Sequence, residues 1–287
     1  MSEPIALITE PDRLVPGYIL RNSFCRACGC APAPLGCECS EPDHIPTVPM
    51  DAKGCARGRS VVICGAGPSL AAAAPLLGTF DEVWACNRAL TYLAAAGLRV
   101  THAVAIEPAA RIMEAWPVLP DVVYYLATCV HPTLTERVAR AHRVVQFHSM
   151  QTARPIDETT LYALLYPKTV LTHTGMSVVN RALDLAAWLG YSRIRLAGCD
   201  LSIQAGAMYA DGQPYEGAWT LTGTVDGRTW RTKPDMLYSA LDLVRVRRSE
   251  PRGRIGFIGT TLPRALQDKP ESFLQRCIRW EPKRKAA

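Results

Sequence analysis

Residues 60–70 read SVVICGAGPSL, and the rest of the chain can be interpreted from this stretch. The apolar run VVIC is typical of a short strand buried on both faces. The glycines allow a tight turn, and Pro68-Ser69 then opens a helix. A strand that leads through glycines into a helix leaves N–H groups at a positive helix end, which suits a phosphate. The predicted phosphate-binding residues are Gly65, Gly67, Pro68 and Ser69.

Two features of this region argue against a nicotinamide cofactor. The dinucleotide fingerprint needs a third glycine, which is absent here. The next predicted strand, residues 81–85, leads to Asn87, where a nicotinamide-binding domain carries an acidic residue for the ribose. The sequence therefore favours a mononucleotide or sugar nucleotide, with Asn87 contacting the ribose or base. A purely structural glycine turn is the alternative.

Composition and charge indicate a globular protein. The 287 residues are 48% hydrophobic and 20% charged, and the net charge of +6 is scattered. This charge fits an anionic ligand and is only a weak signal for a nucleic-acid groove. The N-terminus lacks the apolar core of a signal peptide, and the uncharged stretch 60–80 contains glycines and prolines that disfavour a membrane span. We expect a cytoplasmic protein without a membrane partner.

A cysteine-rich segment precedes the glycine turn. Of eleven cysteines, five lie within fifteen residues, as a CxxC motif, a further cysteine and a CxC motif. This spacing can supply four thiolates to a tetrahedral Zn²⁺, and without a signal peptide metal binding is favoured over disulfides. The predicted zinc ligands are Cys25, Cys28, Cys37 and Cys39. Cys30 and His44 could substitute, and free thiols or an iron–sulfur site are the alternatives.

The pattern from residue 59 onward is an alternation of strands and helices. It predicts an α/β fold, a Rossmann-like, mostly parallel sheet with helices on both faces. We divide the chain into the cysteine-rich segment 1–58, an α/β domain 59–270 and a basic tail 271–287. Within the domain, residues 178–189 have helical spacing and end at Gly190.

Ligands in such sheets bind beyond the carboxyl ends of the strands, where this chain has two carboxylates. Glu107 follows the predicted strand 102–106, and Asp200 follows the predicted strand 193–197. Together they could hold Mg²⁺ that bridges phosphate oxygens. The alternatives are a surface carboxylate for Glu107 and a cap for Asp200. We expect the glycine turn and Asp200 to converge on one anionic ligand.

Further polar residues precede the helix 178–189 or follow Asp200. Thr174, Gly175 and Ser177 could bind a second phosphate, which is compatible with helix capping. His173 is the first choice for a general base by its position. The other candidate bases are His102, His131 and His148. Tyr209 or Tyr215 could donate a hydrogen bond to a leaving phosphate. In contrast, three cysteines in or beside strands are predicted to be buried packing residues: Cys64, Cys86 and Cys199.

Several motifs in this order resemble the MptE-like 6-hydroxymethylpterin diphosphokinase family, whose domain is shared with motility-associated flagellin glycosyltransferases. They lie between residues 59 and 267. The motifs are ICGAGPSL (63–70), WACNRAL (84–90), AIEP (105–108), the block from THTGMSV to GCDLSI (172–203) and MYADG (208–212). The same parts are similar, more distantly, to bacterial sialyltransferases that use CMP-sialic acid.

The resemblance implies roles for residues already singled out. The residues that would surround the nucleotide are Gly65, Gly67, Ser69, Asn87 and Ser177. Asp200 would act at the metal or substrate, and Tyr209 near the leaving phosphate. The sialyltransferase pattern is incomplete, since Ala66 replaces an asparagine, Ser202 replaces a tyrosine and no histidine follows Tyr209. Glu107 stands where the diphosphokinase family tends to have aspartate.

The resemblance therefore implies a Mg²⁺-dependent transferase that moves diphosphate from ATP to the hydroxyl of a small acceptor. A glycosyltransferase that uses a CMP- or UDP-sugar is the rival enzyme. A nucleotide-binding module without catalysis is the third reading.

Overall fold

A computed structural model describes residues 45–109, 116–140, 143–149, 171–172, 176–212, 219–225, 227–267 and 279–282. The chain divides into two compact units, and each is described by itself. The first unit comprises 1–52 and 105–173, and the second comprises 53–104 and 174–287.

The described elements alternate between strands and helices over most of the chain. In chain order they are β1 (Ser60–Cys64), α1 (Leu70–Leu77), β2 (Glu82–Cys86), α2 (Ala89–Ala95), β3 (His102–Ala105), β4 (Val123–Ala127), α3 (Pro132–Ala139), β5 (Val144–Ser149), β6 (Leu171–Thr172), α4 (Val178–Leu189), β7 (Arg193–Ala197), β8 (Trp219–Val225), β9 (Arg228–Thr232), α5 (Pro234–Ser249), β10 (Ile255–Phe257), α6 (Leu262–Leu266) and β11 (Arg279–Pro282).

The second unit is built on parallel strands in the order β10–β7–β1–β2–β3. Its central strand is β1, where residues 61–64 are fully buried between two neighbouring strands. A continuous apolar run is what such a strand requires, because helices cover the faces of parallel sheets. The predicted Rossmann-like α/β fold is confirmed.

Helix α4 has the predicted bounds. Its N-cap residue Ser177 accepts a hydrogen bond at Oγ from the Asn180 N–H, 3.3 Å away. Its C-cap residue Gly190 has a left-handed φ of 92°, which ends the helix. The helix packs against β1, β2 and β7.

The second unit also contains the antiparallel sheet β11–β8–β9. Strands β8 and β9 are antiparallel neighbours, with Leu221 opposite Thr232 and Val225 opposite Arg228. The apolar face of these two strands packs with α5 and α6, and Trp230, Leu237 and Leu262 lie in the shared core. Residues 279–282, assigned to the tail by sequence, form β11.

The first unit contains the parallel strands β4, β5 and β6. Strand β6 has two residues, too few for a periodic pattern. Residues 46–48 run along β5, where Gln146 donates from its N–H to the Pro46 carbonyl oxygen, 2.7 Å away. In the part of the chain that the structure describes, no helix combines the length and apolarity needed to cross a bilayer.

Candidate functional site

The turn after β1 packs directly against the turn after β7. We call residues 65–69 the glycine turn. The Gly67 N–H donates to the Gly198 carbonyl oxygen over 2.8 Å. A Cβ atom on Gly65 would lie 2.6 Å from that oxygen, so the contact admits no side chain here. Strands β2 and β7 lie on opposite sides of β1. The boundary between β1 and β7 is therefore the topological switch point, which is where α/β sheets bind ligands.

Asp200 is part of the same contact. Its Oδ2 accepts hydrogen bonds from the N–H and the hydroxyl of Ser69, each 2.9 Å long, and its Oδ1 accepts from Nε2 of Gln204. A Cβ atom on Gly67 would lie 2.2 Å from Oδ2. The expected proximity of the glycine turn and Asp200 is therefore present. The carboxylate takes up the Ser69 N–H, one of the donors that a phosphate could otherwise use.

Burial favours the neutral form of the Asp200 carboxyl group. Asp200 is 1% exposed, and this desolvation raises its pKa, while the hydrogen bonds from Ser69 act in the opposite direction. Asp200 thus fixes the shape of the glycine turn from a buried position.

Donors for an anion remain two and three residues beyond Ser69, in the first turn of α1. The first N–H groups of a helix have no partner within it. Leu70 and Ala73 donate to the carbonyl oxygens of the glycine turn. Within the described ranges, the N–H groups of Ala71 and Ala72 have no acceptor, and both residues are exposed. These two groups can bind an anion at the positive end of α1.

The loop after Asp200 folds back onto the glycine turn. Ala210 donates from its N–H to the Ala66 carbonyl oxygen over 2.8 Å. The guanidinium of Arg88 lies 4.4 Å from the centre of the Tyr209 ring and 3.1 Å from a carboxylate oxygen of Asp211. Arg88 therefore links the end of β2 to this loop.

Arg88 is a site residue that the sequence analysis missed. It directly follows Asn87 at the end of β2, so a cation at a strand end was the available signal. Asn87 itself has a φ of 44° and donates from its N–H to the Val104 carbonyl oxygen over 2.9 Å. Asparagine tolerates this left-handed backbone better than most residues do. Asn87 thereby directs the chain from β2 into Arg88.

The other predicted site residues are distributed as follows. Ser177 caps α4, which agrees with the capping alternative. Glu107 belongs to the first unit, where its Oε1 accepts a hydrogen bond from the Ala109 N–H over 3.1 Å. Pro68 lies half-buried within the glycine turn. The predicted residues outside the described part are His173, Thr174, Gly175, Tyr215, Cys25, Cys28, Cys30, Cys37, Cys39 and His44.

Three of the candidate bases lie in the described part, and each has a structural contact. His102 begins β3, at the amino end of the strand, with Nδ1 3.3 Å from a carboxylate oxygen of Glu82. His131 caps α3 by accepting a hydrogen bond from the Thr133 N–H. His148 is buried in β5, and its desolvation lowers the pKa of the imidazole to about 3. Such a group is neutral at pH 7.

The packing cysteines are confirmed. Cys64, Cys86 and Cys199 are at most 2% exposed, and burial raises the pKa of each thiol, that of Cys64 to about 12. They are therefore protonated and inert. As for metals, the described residues contain no cluster of three or more histidine, cysteine or acidic side chains placed to hold an ion.

The fold is similar to that of a solved enzyme. Over 88% of this chain and 37% of the other, it matches the MAf glycosyltransferase from Magnetospirillum magneticum AMB-1, with 16% identity and a TM-score of 0.60. The chain thus spans well under half of that protein, and the likeness concerns the fold alone. A mammalian sialyltransferase matches 70% of this chain and 68% of its own, with 12% identity and a TM-score of 0.38.

Sequence comparison identifies the family. No curated protein matches the chain significantly. Residues 44–206, more than half of the chain, match the family described as 6-hydroxymethylpterin diphosphokinase MptE-like. This range contains the glycine turn, Arg88 and Asp200. The chain therefore belongs to the MptE-like family.

Proposed function

We propose that this chain is a transferase that binds the phosphates of a nucleotide donor at the glycine turn. One observation carries the proposal: the exposed residues Ala71 and Ala72 have N–H groups without an acceptor in the first turn of α1, directly after the glycine turn that the loop held by Arg88 contacts. A helix N-terminus and a guanidinium are both well suited to phosphate. Membership of a diphosphokinase family supports the same class of reaction.

Each residue of this site has a distinct role in the proposal. The N–H groups of Ala71 and Ala72 bind phosphate oxygens, and Arg88 supplies a positive charge. Tyr209 donates from its hydroxyl to the leaving phosphate. Asp200 acts indirectly, because its bonds to Ser69 hold the glycine turn in place. Catalysis would then come from positioning and charge stabilisation, without a covalent intermediate.

The preferred reaction is diphosphate transfer from ATP, by analogy with the name of the family. The oxygen of an acceptor hydroxyl, such as that of 6-hydroxymethylpterin, attacks the β-phosphorus. The bond between the β-phosphorus and the oxygen that bridges it to the α-phosphorus breaks. AMP leaves with that oxygen, the acceptor keeps the β- and γ-phosphoryl groups, and the hydroxyl proton is released.

Mg²⁺ is the metal that we propose for this reaction, since it usually binds one or two carboxylates and the phosphates of the substrate. Asp200 is the carboxylate of the second unit that the sequence predicted as a ligand. Both oxygens of Asp200 already accept hydrogen bonds, so it could offer only one remaining lone pair. The described residues do not by themselves form a magnesium site.

Glycosyl transfer is the second candidate. It is favoured by the similarity in fold to the MAf glycosyltransferase, which extends over 88% of this chain. The acceptor hydroxyl would attack the anomeric carbon of a CMP- or UDP-sugar. The bond from that carbon to the phosphate oxygen would break, CMP or UDP would leave with both electrons of that bond, and the hydroxyl proton of the acceptor would be released. The same N–H groups of Ala71 and Ala72, next to the glycine turn, would hold the phosphate.

The two reactions release different nucleotides, which decides between them. We would incubate the protein and Mg²⁺ with ATP and 6-hydroxymethyl-dihydropterin, and separately with CMP- and UDP-sugars and a sugar acceptor. AMP release that requires the pterin supports diphosphate transfer, whereas CMP or UDP release supports glycosyl transfer. Nucleotide binding without any turnover supports a binding module and contradicts the enzyme proposal.

Two arginine variants test the location of the site. Arg88→Ala should weaken nucleotide binding, and Arg99→Ala should not, because Arg99 is an exposed arginine of the same unit that is remote in sequence from the glycine turn and its loop. If Arg88→Ala binds and turns over the nucleotide like the unchanged protein, the donor phosphates bind elsewhere.

A further inference from the structure

A cavity of about 710 Å³ lies at the other end of the strands of the second unit. It is lined by the segment 53–57, by the end of α4 with Ser192, and by the turn 251–254. These segments directly precede β1, β7 and β10, so the cavity faces the amino ends of the strands. The glycine turn and Asp200 follow the carboxyl ends. The two places are therefore separate.

The lining of this cavity is strongly basic. Lys53, Arg57, Arg252 and Arg254 contribute to it, and no aspartate or glutamate does. We call these four residues and the cavity they line the basic pocket. Arg254 is paired with Glu250. Among the residues that the structure describes, the other three cations form no ion pair, and all three are exposed.

The three unpaired cations are not needed to stabilise the end of α4. The Trp188 carbonyl oxygen accepts from the Gly54 N–H, and that of Leu189 accepts from the Ala56 N–H. Arg254 donates from its guanidinium to the carbonyl oxygens of Ala187 and Tyr191, each over 2.8 Å. These contacts already satisfy the negative end of the helix. Lys53, Arg57 and Arg252 are therefore available to bind a ligand.

The walls of the pocket are firmly connected to each other. A Cβ atom on Gly190 would lie 2.6 Å from the Gly54 Cα, so the two backbones are in contact. The Gly58 N–H donates to the hydroxyl oxygen of Ser192 over 2.7 Å. The hydroxyl hydrogen of Ser192 has no acceptor among the described residues and can donate to a ligand at the pocket. A concave surface of one charge sign concentrates counter-ions.

We propose that the basic pocket binds a small molecule that carries two or more linked phosphate groups. Three unpaired cations match the charge of a phosphate chain, whereas a monovalent anion would neutralise only one of them. Lysine and arginine are the side chains that bind phosphate, arginine through paired N–H groups. The proposal concerns a second anion site, and it does not depend on the reaction at the glycine turn.

Calorimetric titration with inorganic tripolyphosphate at low salt tests this proposal on the whole chain. The double variant Arg57→Ala/Arg252→Ala should raise the dissociation constant of the pocket at least about fivefold, since each exposed ion pair contributes modestly. Arg57→Lys/Arg252→Lys keeps the charges and should retain binding. Arg99→Ala should bind like the unchanged protein, and binding should weaken as salt increases.

Arg88→Ala separates the pocket from the glycine turn. It should leave tripolyphosphate binding at the pocket in place. In the Arg88→Ala background, the affinity for ATP should depend on Arg57 and Arg252 as the affinity for tripolyphosphate does. The proposal is overturned if the double variant binds as tightly as the unchanged protein, or if Arg99→Ala weakens binding equally. It is also overturned if Arg88→Ala alone abolishes binding of tripolyphosphate.

Discussion

The carboxylate of Asp200 accepts two hydrogen bonds from Ser69, one from its N–H and one from its hydroxyl, each 2.9 Å long. Asp200 follows β7 and Ser69 precedes α1, so these bonds join two turns that are 131 positions apart in the sequence. A glycine turn beside a strand-end carboxylate would otherwise suggest two independent ligands for phosphate and metal. Here the carboxylate is a structural partner of the turn.

Substitutions of Asp200 should separate the effect of its hydrogen bonds on stability from the effect of its charge. Asp200→Asn can direct its amide oxygen at Ser69 and its NH₂ group at a flipped Gln204, so we expect a small loss of stability. Asp200→Ala leaves the Ser69 N–H and hydroxyl without that acceptor and should lower the free energy of unfolding by about 2 kcal/mol. Urea unfolding of both variants measures this. Equal losses would show that the hydrogen bonds do not stabilise the turn.

The pH dependence of Asp200 has a defined sign. The pKa of Asp200 in the folded state is raised above its ordinary value of 3.8. At a pH between 3.8 and the folded pKa, the folded state therefore binds the proton more tightly than the unfolded state does. The contribution of Asp200 to the free energy of unfolding therefore falls as the pH rises from 3.8 through the folded pKa. Asp200→Asn should lack this fall. A parallel pH profile for the variant and the unchanged protein would argue against the raised pKa.

His148 should have the opposite pH dependence. Its imidazole pKa is lowered from 6.5 to about 3, so below 6.5 only the unfolded state gains the proton. Stability from this group is complete above 6.5 and is lost as the pH falls, by about 1.4 kcal/mol per pH unit. His148→Gln should flatten the profile between about pH 6 and about pH 4. An unchanged slope in urea unfolding would show that His148 is accessible to protons.

Gly67→Ala should destabilise the protein. The added Cβ would lie 2.2 Å from Oδ2 of Asp200 and 2.7 Å from the Gly198 carbonyl oxygen, so the two turns would have to separate. We expect a loss of about 1–3 kcal/mol, which is typical of overpacking. Gly78→Ala is the matched control, because Gly78 has a φ of −66° and open space around it. A similar loss in both variants would contradict the close contact at Gly67.

Arg88→Ala should loosen the loop that covers the glycine turn. It removes the ion pair with Asp211 and the contact with Tyr209, which are partly exposed and stabilise the loop by up to about 1 kcal/mol. Hydrogen exchange at the Ala210 N–H should then become faster, by up to about fivefold. Arg88→Lys should have a smaller effect. Unchanged exchange would show that the Ala210 bond holds the loop without Arg88.

Local signals in the sequence were sufficient for many elements of the fold, but not for β6 or β11. The apolar run 61–64 predicts β1, and Ser177 and Gly190 predict the bounds of α4, because caps and buried strands depend on neighbouring residues. The convergence of the glycine turn and Asp200 could also be predicted, since the carboxyl ends of parallel strands share one edge of the sheet.

Only the tertiary structure decided how these residues are used. Strand β7 lies beside β1, and both carboxylate oxygens of Asp200 accept hydrogen bonds. Both features depend on contacts between parts of the chain that are distant in sequence. The same holds for the link from Arg88 to Asp211, and for the basic pocket, whose lining comes from three segments between residues 53 and 254. Strand order and side-chain contacts are set by packing across the whole fold, which no short stretch of sequence records.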